Sequence, residues 1–285
     1  MITDADTNYF TEVNRRLSEA DEHVRKEVMK HVDYLAQKAG TSSAKILSGV
    51  HFSAAYQVLS DCRHNVESVF REKTDGPVAI SPDSVEKMIE LAEKSLEGWC
   101  SREKSMAIVK IINDIKPEIC VEIGVYGGRS LIPAAAALRA NGKGAIYGIE
   151  TWRPDVATEH ATNEVNDEWW TKIDFHSIKS DFYRFVAEHD LASQVRLIEA
   201  PSASVSGLFD TIDYLHIDGG HSIYNAAEDV IHYSKKVRKG GAIIMDDANW
   251  PSTGPAIAIL DSFCDRVQSF NDDKGVIACI IYRKR

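Results

Sequence analysis

The sequence of 285 residues lacks the marks of several large protein classes. Its five cysteines (Cys62, Cys100, Cys120, Cys264 and Cys279) form no CxxC pair, and two of them lie inside apolar runs, where a thiol acts as a small hydrophobic group. No stretch reaches the length of a membrane span, and the polar N-terminal segment has no apolar core of a signal peptide. We therefore expect a cytoplasmic protein with reduced cysteines and no membrane partner.

Basic residues are also in the minority, with 33 Lys and Arg against 43 Asp and Glu. The formal net charge of −10 repels phosphate backbones and anionic lipid headgroups, and no local basic patch reverses this effect. Because 44% of the residues are hydrophobic, the chain has enough apolar material for a large folded core. The composition thus argues against nucleic acid as a partner.

The first 98 residues have a helical pattern without a glycine-rich loop or a catalytic cluster. Apolar residues recur every three or four positions from residue 4 to about residue 73. After a polar break, Asp83 or Ser84 is predicted to cap a helix with the sequence VEKMIELAEKSL. We interpret residues 1–98 as a helical extension that packs against its own core or against a second copy. Its expected role is oligomerisation or a lid over the substrate, and we expect a homo-oligomer formed through these helices.

Residues 99–285 differ from this extension, because short β-branched runs alternate there with helical stretches. The first helical stretch is predicted to begin after Ser101, which caps it. This alternation predicts a parallel sheet with crossover helices. The five runs of strand character span residues 118–124, 144–150, 194–200, 212–218 and 240–247. The runs RVQSF and VIACIIYRKR, joined by NDDKG, predict an antiparallel hairpin at the sheet edge. The predicted fold class is α/β, with a doubly wound sheet of five parallel strands plus this terminal hairpin, after the N-terminal helical extension.

The first predicted strand leads directly into the glycine-rich segment GVYGGRS, residues 124–130, and a helix follows. Glycines at such a turn let the backbone approach a ligand closely, and the start of the helix offers free N–H groups. The spacing of Gly124, Gly127 and Gly128 does not match the dinucleotide motif, and no Lys-Ser/Thr pair follows, so NAD and nucleoside triphosphates are disfavoured. A tight turn without any ligand would show the same pattern.

Two polar residues favour a ligand that contains adenosine. Glu150 ends the second predicted strand about twenty residues after the glycine-rich turn, where doubly wound nucleoside-binding proteins place an acid on the ribose hydroxyls. Ser202 follows the third predicted strand and could contact the adenine edge, although a serine after proline could equally well cap a helix.

Three carboxylates follow the fourth and fifth predicted strands. Asp218 ends the fourth strand, and Asp246 and Asp247 end the fifth. Because neighbouring parallel strands end at the same edge of a sheet, we expect these carboxylates to share one cleft, where a divalent cation such as Mg²⁺ would relieve their repulsion. Asn249 is a candidate for a further ligand or a substrate contact. The alternative is that the acids are solvated and cap helices.

His221 follows Asp218 after two glycines that permit a sharp turn out of the strand. An imidazole at this place can act as a general base, because its unperturbed pKa lies near neutrality. His216, inside the fourth strand, and His232, on the next predicted helix, are interpreted as structural.

With these motifs in place, residues 99–285 resemble class I S-adenosylmethionine-dependent methyltransferases, which have a Rossmann-like fold. The resemblance is greatest to the Mg²⁺-dependent sugar O-methyltransferases of macrolide biosynthesis. It rests on the motifs VEIGVYGGRS, YGIE, YLHIDGGH and KGGAIIMDD. Catechol-type O-methyltransferases are similar in their metal arrangement but typically use a lysine as the base.

The resemblance implies a role for each matched residue. The implied cofactor contacts are Glu122, Gly124, Tyr126, Gly128, Ser130, Glu150, Ser202 and Asp218, with the ribose on Glu150. The implied metal ligands are Asp218, Asp246 and Asp247, and the implied catalytic base is His221. The expected reaction is methylation of a small-molecule hydroxyl, most simply on a sugar or glycosylated natural product. Alternatives are a catechol or phenolic O-methyltransferase, a metal-dependent hydroxylase or hydrolase, and a non-catalytic binding protein.

The segment between the second and third predicted strands, residues 152–185, is long and contains two adjacent tryptophans, Trp169 and Trp170. These rings could shield the cofactor, stack on a substrate ring, or pack in the core.

Overall fold

The computed structural model describes residues 82–159 and 164–285. In this part of the chain the strands are β1 Ile119–Ile123, β2 Ala145–Ile149, β3 Val195–Ile198, β4 Ile212–Ile217, β5 Val237–Met245, β6 Cys264–Asn271 and β7 Ile277–Lys284. The α-helices are α1 Pro82–Ser95, α2 Arg102–Ile115, α3 Leu131–Asn141, α4 Pro154–Ala157, α5 Glu164–Thr171, α6 Phe175–Glu188, α7 Ser202–Val205, α8 Ile223–Ser234 and α9 Gly254–Phe263.

The strands form one sheet in the order β3-β2-β1-β4-β5-β7-β6. Strands β1 to β5 are parallel, and β7 runs antiparallel to both β5 and β6. The predicted doubly wound α/β fold, with five parallel strands and a terminal antiparallel hairpin, is confirmed. The strand order of the sheet reverses at β1, which has β2 on one side and β4 on the other. Ligands of doubly wound sheets bind at such a reversal.

The strand ends at this reversal are level with one another. Ile123 pairs with Ile149 on one side and with Ile217 on the other, and Ile217 pairs with Met245. The residues that follow these four strand ends therefore emerge side by side at the carboxyl edge of the sheet.

Helix α2 begins as the sequence predicts. The Ser101 side chain accepts a hydrogen bond from the Lys104 backbone N–H at 3.2 Å, which caps the helix. The helix ends at Lys116, whose left-handed backbone returns its N–H to the Ile112 carbonyl. Ile108 and Ile112 are fully buried on its inner face, so apolar packing holds the helix against the sheet.

Helix α1 includes the residues that were expected to precede it. Asp83 and Ser84 were predicted as caps, but the helix already contains Pro82, so both residues lie in its first turn and this prediction is wrong. Proline suits this place because the first N–H groups of a helix have no intrahelical acceptor.

Helices cover both faces of the sheet. On one face α1, α2 and α3 pack together, with buried side chains such as Ile89, Ile108 and Leu138. On the other face α8 and α9 pack around buried side chains such as Val230 and Leu260. No helix of the described residues is long and apolar enough to cross a membrane.

Residues 1–98 were assigned to an extension, and α1 belongs to that range. Its buried residues Val85, Met88 and Ala92 lie in the same apolar cluster as those of α2 and α3. The helices expected before residue 82, and any homo-oligomer that they form, lie outside the described residues and stay predictions, as does the boundary at residue 98.

Candidate functional site

A single cavity of about 930 Å³ opens at the carboxyl edge of the sheet. It is lined by the glycine-rich segment after β1, by the end of β2, and by the acidic ends of β4 and β5. This volume is near the upper end of the range of about 300–1,000 Å³ that is usual for ligand pockets. The cavity therefore has room for a cofactor and a second small molecule together.

Gly124 begins the glycine-rich segment and contacts the end of β4 at very short range. Its φ of +83° lies in the left-handed region, and a Cβ atom added to it would stand 1.9 Å from the Asp218 carbonyl oxygen. Only glycine fits both constraints. Tyr126 also has a positive φ, of 49°, and lines the cavity with Gly124. Gly128 instead lies against the Phe182 ring and is not among the lining residues.

Glu150 follows β2 and holds the glycine-rich segment through its carboxylate. Oε2 accepts hydrogen bonds from the N–H groups of Val125 (3.1 Å) and Tyr126 (2.9 Å). Oε1 accepts them from Thr151 (2.7 Å) and Trp152 (2.9 Å). Four donors match the four lone-pair positions of a carboxylate, so ribose hydroxyls would have to share or replace some of these bonds. The structure thus gives Glu150 a role in shaping the segment, beside its predicted contact with ribose.

Ser202 is the first residue of α7, and its hydroxyl donates a hydrogen bond to Asp229 on α8. Its carbonyl accepts a second bond from the Tyr233 hydroxyl at 2.6 Å. Burial raises the pKa of Asp229 to about 7, although the bond from Ser202 lowers it. Ser202 and Asp229 both line the cavity, so two polar side chains meet where the adenine edge was predicted.

A buried chain of polar side chains runs beneath the cavity floor. The Ser130 hydroxyl donates to Glu122 Oε1 at 2.7 Å, and Glu122 Oε2 lies 3.3 Å from His216 Nδ1. His216 Nε2 lies 2.6 Å from Asp246 Oδ2. Burial would lower the pKa of His216, but Glu122 and Asp246 raise it to about 10. His216 is therefore a buried cation between two carboxylates.

Two predicted cofactor contacts, Glu122 and Ser130, belong to this series of hydrogen-bonded side chains. Glu122 is fully buried and is not among the lining residues, whereas Ser130 lines the cavity at one edge. The structure therefore brings Glu122 to His216 and Ser130, beneath the cavity.

Lys104 on α2 completes the chain at its other end. Its Nζ donates to Asp246 Oδ2 at 2.7 Å, and both side chains are buried. Burial alone would raise the pKa of Asp246, but Lys104 and His216 hold it well below its usual range. Asp246 is thus kept ionised by two cations that share one of its oxygens.

The predicted metal ligands fall into two groups. Among residues 82–159 and 164–285, ligand atoms of His216, Asp218 and Asp246 lie within 4.8 Å of one another. Asp247 is not part of this cluster, and its φ of +54° lies in the left-handed region just after β5. Its Oδ2 lies 2.7 Å from His221 Nε2.

The repulsion between these carboxylates acts on the pKa of Asp218. Burial raises its pKa well above the ordinary value, and the charges of Asp246 and Asp247 raise it further, while Lys104 lowers it. Oxygen donors with an excess of negative charge are the donor set that Mg²⁺ prefers. The residues present therefore fit a divalent cation on Asp218 and Asp246, while His216 binds Asp246.

His221 lies at the cavity wall, where its ring also contacts the Trp250 ring at 4.7 Å between centroids. Burial lowers its pKa, but the hydrogen bond and charge of Asp247 outweigh this and raise it. Asn249 lines the cavity and donates to Asp272 Oδ2 at 3.1 Å. The predicted base and the predicted acidic ligands thus face one cavity.

Residues 121–248 match the family model of a methyltransferase domain. The matched segment is somewhat less than half of the chain. This segment of the chain is similar to a methyltransferase domain. The resemblance to class I S-adenosylmethionine-dependent methyltransferases is thereby confirmed. A search of curated proteins with this sequence finds no significant match.

Solved structures share the fold of this chain. The O-methyltransferase NovP is 14% identical with a TM-score of 0.56, over 71% of this chain and 97% of NovP. Cofactor-bound Rv0187 from MTB is 15% identical with a TM-score of 0.50, over 79% of this chain and 97% of that protein. At these identities the likeness shows the fold alone.

An aromatic wall, consisting of Trp99, Tyr126, Trp169 and Trp170, lines one part of the cavity. The Trp99 ring stacks on Tyr126 at 5.3 Å and 18°, and it lies 5.5 Å from the Trp169 ring. Trp99 is 71% exposed and Trp169 is 40% exposed, whereas Trp170 is half-buried and stacks on Phe175 at 5.8 Å. Trp170 is thus partly a packing residue, while Trp99 and Trp169 offer free ring surface to a ligand.

Sequence reasoning missed Lys104, Asp229 and Trp99, although two of them left a signal. Lys104 lies four and eight residues before the buried Ile108 and Ile112, and hence on the apolar face of α2. Asp229 likewise lies among the buried residues of α8. A charged residue on an apolar helix face needs a buried partner, and this signal marks both positions. Trp99 precedes the first matched motif and left no such signal.

Proposed function

We propose that the protein is an S-adenosylmethionine-dependent, divalent-metal-dependent O-methyltransferase that acts on a hydroxyl group of a small molecule. One observation carries the proposal. A single cavity joins the glycine-rich segment and Glu150 to the carboxylates Asp218, Asp246 and Asp247 and to His221. A cofactor site and a hydroxyl-activating site must adjoin in this way for a methyl group to pass directly from one molecule to the other.

The residues around the cavity fit both groups. The adenosine part of the cofactor would lie between Glu150 and Ser202, and its methionine part near Gly124, Tyr126 and Ser130. Asp218, Asp246 and Asp247 would hold the divalent ion. When bound, the cofactor supplies the methyl group and the ion lowers the pKa of the acceptor hydroxyl.

His221 would remove the proton from the acceptor hydroxyl. Its Nε2 faces Asp247, which fixes the ring and supports a positive charge on it, so the proton would go to Nδ1. Asp247 then has two tasks, because one oxygen orients His221 and the other remains for the cation. The buried pair of Lys104 and His216 holds Asp246 ionised throughout.

The acceptor would lie between His221 and the aromatic wall. A sugar or glycosylated natural product suits this place, because Trp99 and Trp169 can stack on the apolar face of a sugar ring. Two neighbouring hydroxyls on such a ring could bind the ion together. The net charge of −10 favours a neutral or cationic acceptor over a polyanion.

A catechol or phenolic acceptor is the second candidate, and the aromatic wall is the observation that favours it. Trp99 stacked on Tyr126 offers a flat surface on which a phenol ring could lie. Turnover of a panel of glycosides and catechols with S-adenosylmethionine and Mg²⁺ separates the two candidates.

Calorimetry with S-adenosylhomocysteine, followed by turnover after EDTA treatment, tests the proposal. We expect micromolar binding of S-adenosylhomocysteine and loss of turnover in EDTA that Mg²⁺ restores. Asp218→Asn should lose turnover while keeping its fold by circular dichroism. If S-adenosylhomocysteine does not bind, the methyltransferase assignment is wrong and a metal-dependent hydroxylase or hydrolase is favoured. If turnover survives both EDTA and Asp247→Ala, the metal assignment is wrong.

A further inference from the structure

Lys104 brings a permanent positive charge into the acid cluster, in the place where a divalent ion is expected. Its Nζ lies 2.7 Å from Asp246 Oδ2, and the neighbouring charge of Asp218 also acts on it. The lysine is buried and extends from α2, before the segment that matches the methyltransferase domain. No role for it follows from that match.

The charges around Asp246 show what Lys104 contributes. The ammonium group of Lys104 lies against Asp246, a candidate metal ligand, and the charge of Asp218 also acts on it. A divalent ion held by these two carboxylates would lie close to this ammonium group. Without Lys104 the cluster would contain one positive charge less and would attract a divalent ion more strongly.

Lys104 and His216 also share their acceptor. Both bind Asp246 Oδ2, at 2.7 and 2.6 Å, so removal of the lysine leaves that oxygen with its histidine partner. The carboxylate would therefore keep most of its orientation, while the repulsion between the ammonium group and an incoming cation would disappear. We expect the loss of this repulsion to affect ion binding more than the loss of one of two hydrogen bonds.

We propose that Lys104 is a built-in cation of the acid cluster, which competes with the divalent ion and keeps its binding weak. This inference rests on the divalent-ion part of the proposed function. It makes Lys104 a positioning residue that acts through Asp246. The lysine holds the cluster together while no ion is bound, and it makes ion binding depend on further oxygen ligands from the acceptor.

The test is titration of the full-length protein with Mn²⁺, followed by electron paramagnetic resonance of the free ion and by calorimetry, with no cofactor or acceptor present. Lys104→Met should bind Mn²⁺ about tenfold or more tightly than the wild type. Lys104→Arg keeps the charge and should stay within about twofold of the wild type. Lys179→Met is the matched control, because Lys179 pairs with Glu199 at 2.6 Å in a different ion pair and should leave the affinity unchanged.

Unfolding temperatures with and without Mn²⁺ provide a second reading, because a ligand stabilises the folded state in proportion to its affinity. If Lys104→Met does not fold, Lys104→Gln replaces it, since the amide can still donate to Asp246. The larger stabilisation by Mn²⁺ should appear in whichever variant is folded.

Each outcome separates this inference from the proposed function. If the wild type binds Mn²⁺ and the folded variants bind it equally or more weakly, the inference is overturned and the metal assignment stands. If only the variants bind Mn²⁺, the inference is supported, and the loss of turnover in EDTA decides the metal assignment of the wild type separately. If neither binds the ion, the inference is overturned, and the EDTA experiment again decides the metal assignment.

Discussion

His221 Nε2 lies 2.7 Å from Asp247 Oδ2, and this pair connects the loop after β4 to the end of β5. A histidine held in this way has one nitrogen oriented by the acid and the other available for a proton. The same pairing is found wherever a carboxylate fixes the tautomer of a catalytic imidazole.

Replacement of His221 by alanine should therefore reduce turnover about 10²- to 10⁴-fold, the usual contribution of a general base. The affinity for S-adenosylhomocysteine should stay within about twofold of the wild type, because the adenosine contacts lie elsewhere in the cavity. Steady-state kinetics and calorimetry give the two values. His232→Ala, on α8, is the control and should keep normal turnover. A large loss of S-adenosylhomocysteine affinity in His221→Ala would instead make His221 structural.

The four N–H groups on Glu150 lead to a prediction for Glu150→Gln. The amide turns one acceptor oxygen into a donor that faces two backbone N–H groups, so the free energy of unfolding should fall by about 2–4 kcal/mol. Urea denaturation measures this change. An unchanged stability would show that the four bonds do not hold the segment.

The predicted ribose contact of Glu150 has a separate test. In the wild type, S-adenosylhomocysteine should bind more tightly than its 2′,3′-dideoxy analogue, and this difference should shrink in Glu150→Gln. The comparison is a double-mutant cycle between the side chain and the ribose hydroxyls. An equal difference in both proteins would assign Glu150 to the segment alone.

The exposed rings of the aromatic wall lead to a third prediction. Trp99→Ala and Trp169→Ala should each raise the KM for the acceptor about tenfold, because one ring contact contributes about 0.5–1.5 kcal/mol beyond the area that it buries. The stability of Trp99→Ala should change little, since this ring is 71% exposed, while Trp169→Ala should lose somewhat more, since its ring is 40% exposed. Trp170→Ala should lower the unfolding temperature more, because its ring packs on Phe175. If all three variants lose stability alike, the wall is a packing feature.

The raised pKa of Asp229 leads to a prediction of how the stability of the protein depends on pH. In the unfolded chain its carboxyl group ionises near 3.8, whereas burial in the folded protein keeps it protonated up to about pH 7. The folded state thus binds more protons between these values, so this group lowers stability as pH rises from about 4 to about 7. Asp229→Asn removes the effect, and its free energy of unfolding relative to the wild type should rise by about 2–4 kcal/mol from pH 4 to pH 8.

Urea denaturation across this pH range measures the effect. Asp210→Asn, at an exposed residue, is the control and should follow the wild-type curve. Parallel curves for Asp229→Asn and the wild type would show that Asp229 ionises alike in both states.

The fold could be predicted from the sequence because its central strands are covered on both faces and appear as short apolar runs between helical segments. The one large error of a strand boundary is instructive. β5 begins at Val237 and not at residue 240, because its first residues include the exposed Arg238 and Lys239, which look like a loop. The register shift between Ile212 and Tyr214 lets β5 extend there.

The strand-end residues could be predicted as neighbours for the same reason, since parallel topology alone brings Asp218 and Asp246 to one edge. Their partners could not. Lys104 lies 142 residues before Asp246, and helical periodicity says which face of α2 is buried but not which strand end that face meets. The turn of Asp247 toward His221 depends on one positive φ, which no sequence pattern indicated.

The contact between Gly124 and the Asp218 carbonyl has a mechanical consequence. The backbones of the two turns lie together with no room for a side chain between them. A larger residue at position 124 would therefore displace the backbone that carries Asp218. The acidic end of β4 thus depends on a glycine that is 94 residues away in the sequence.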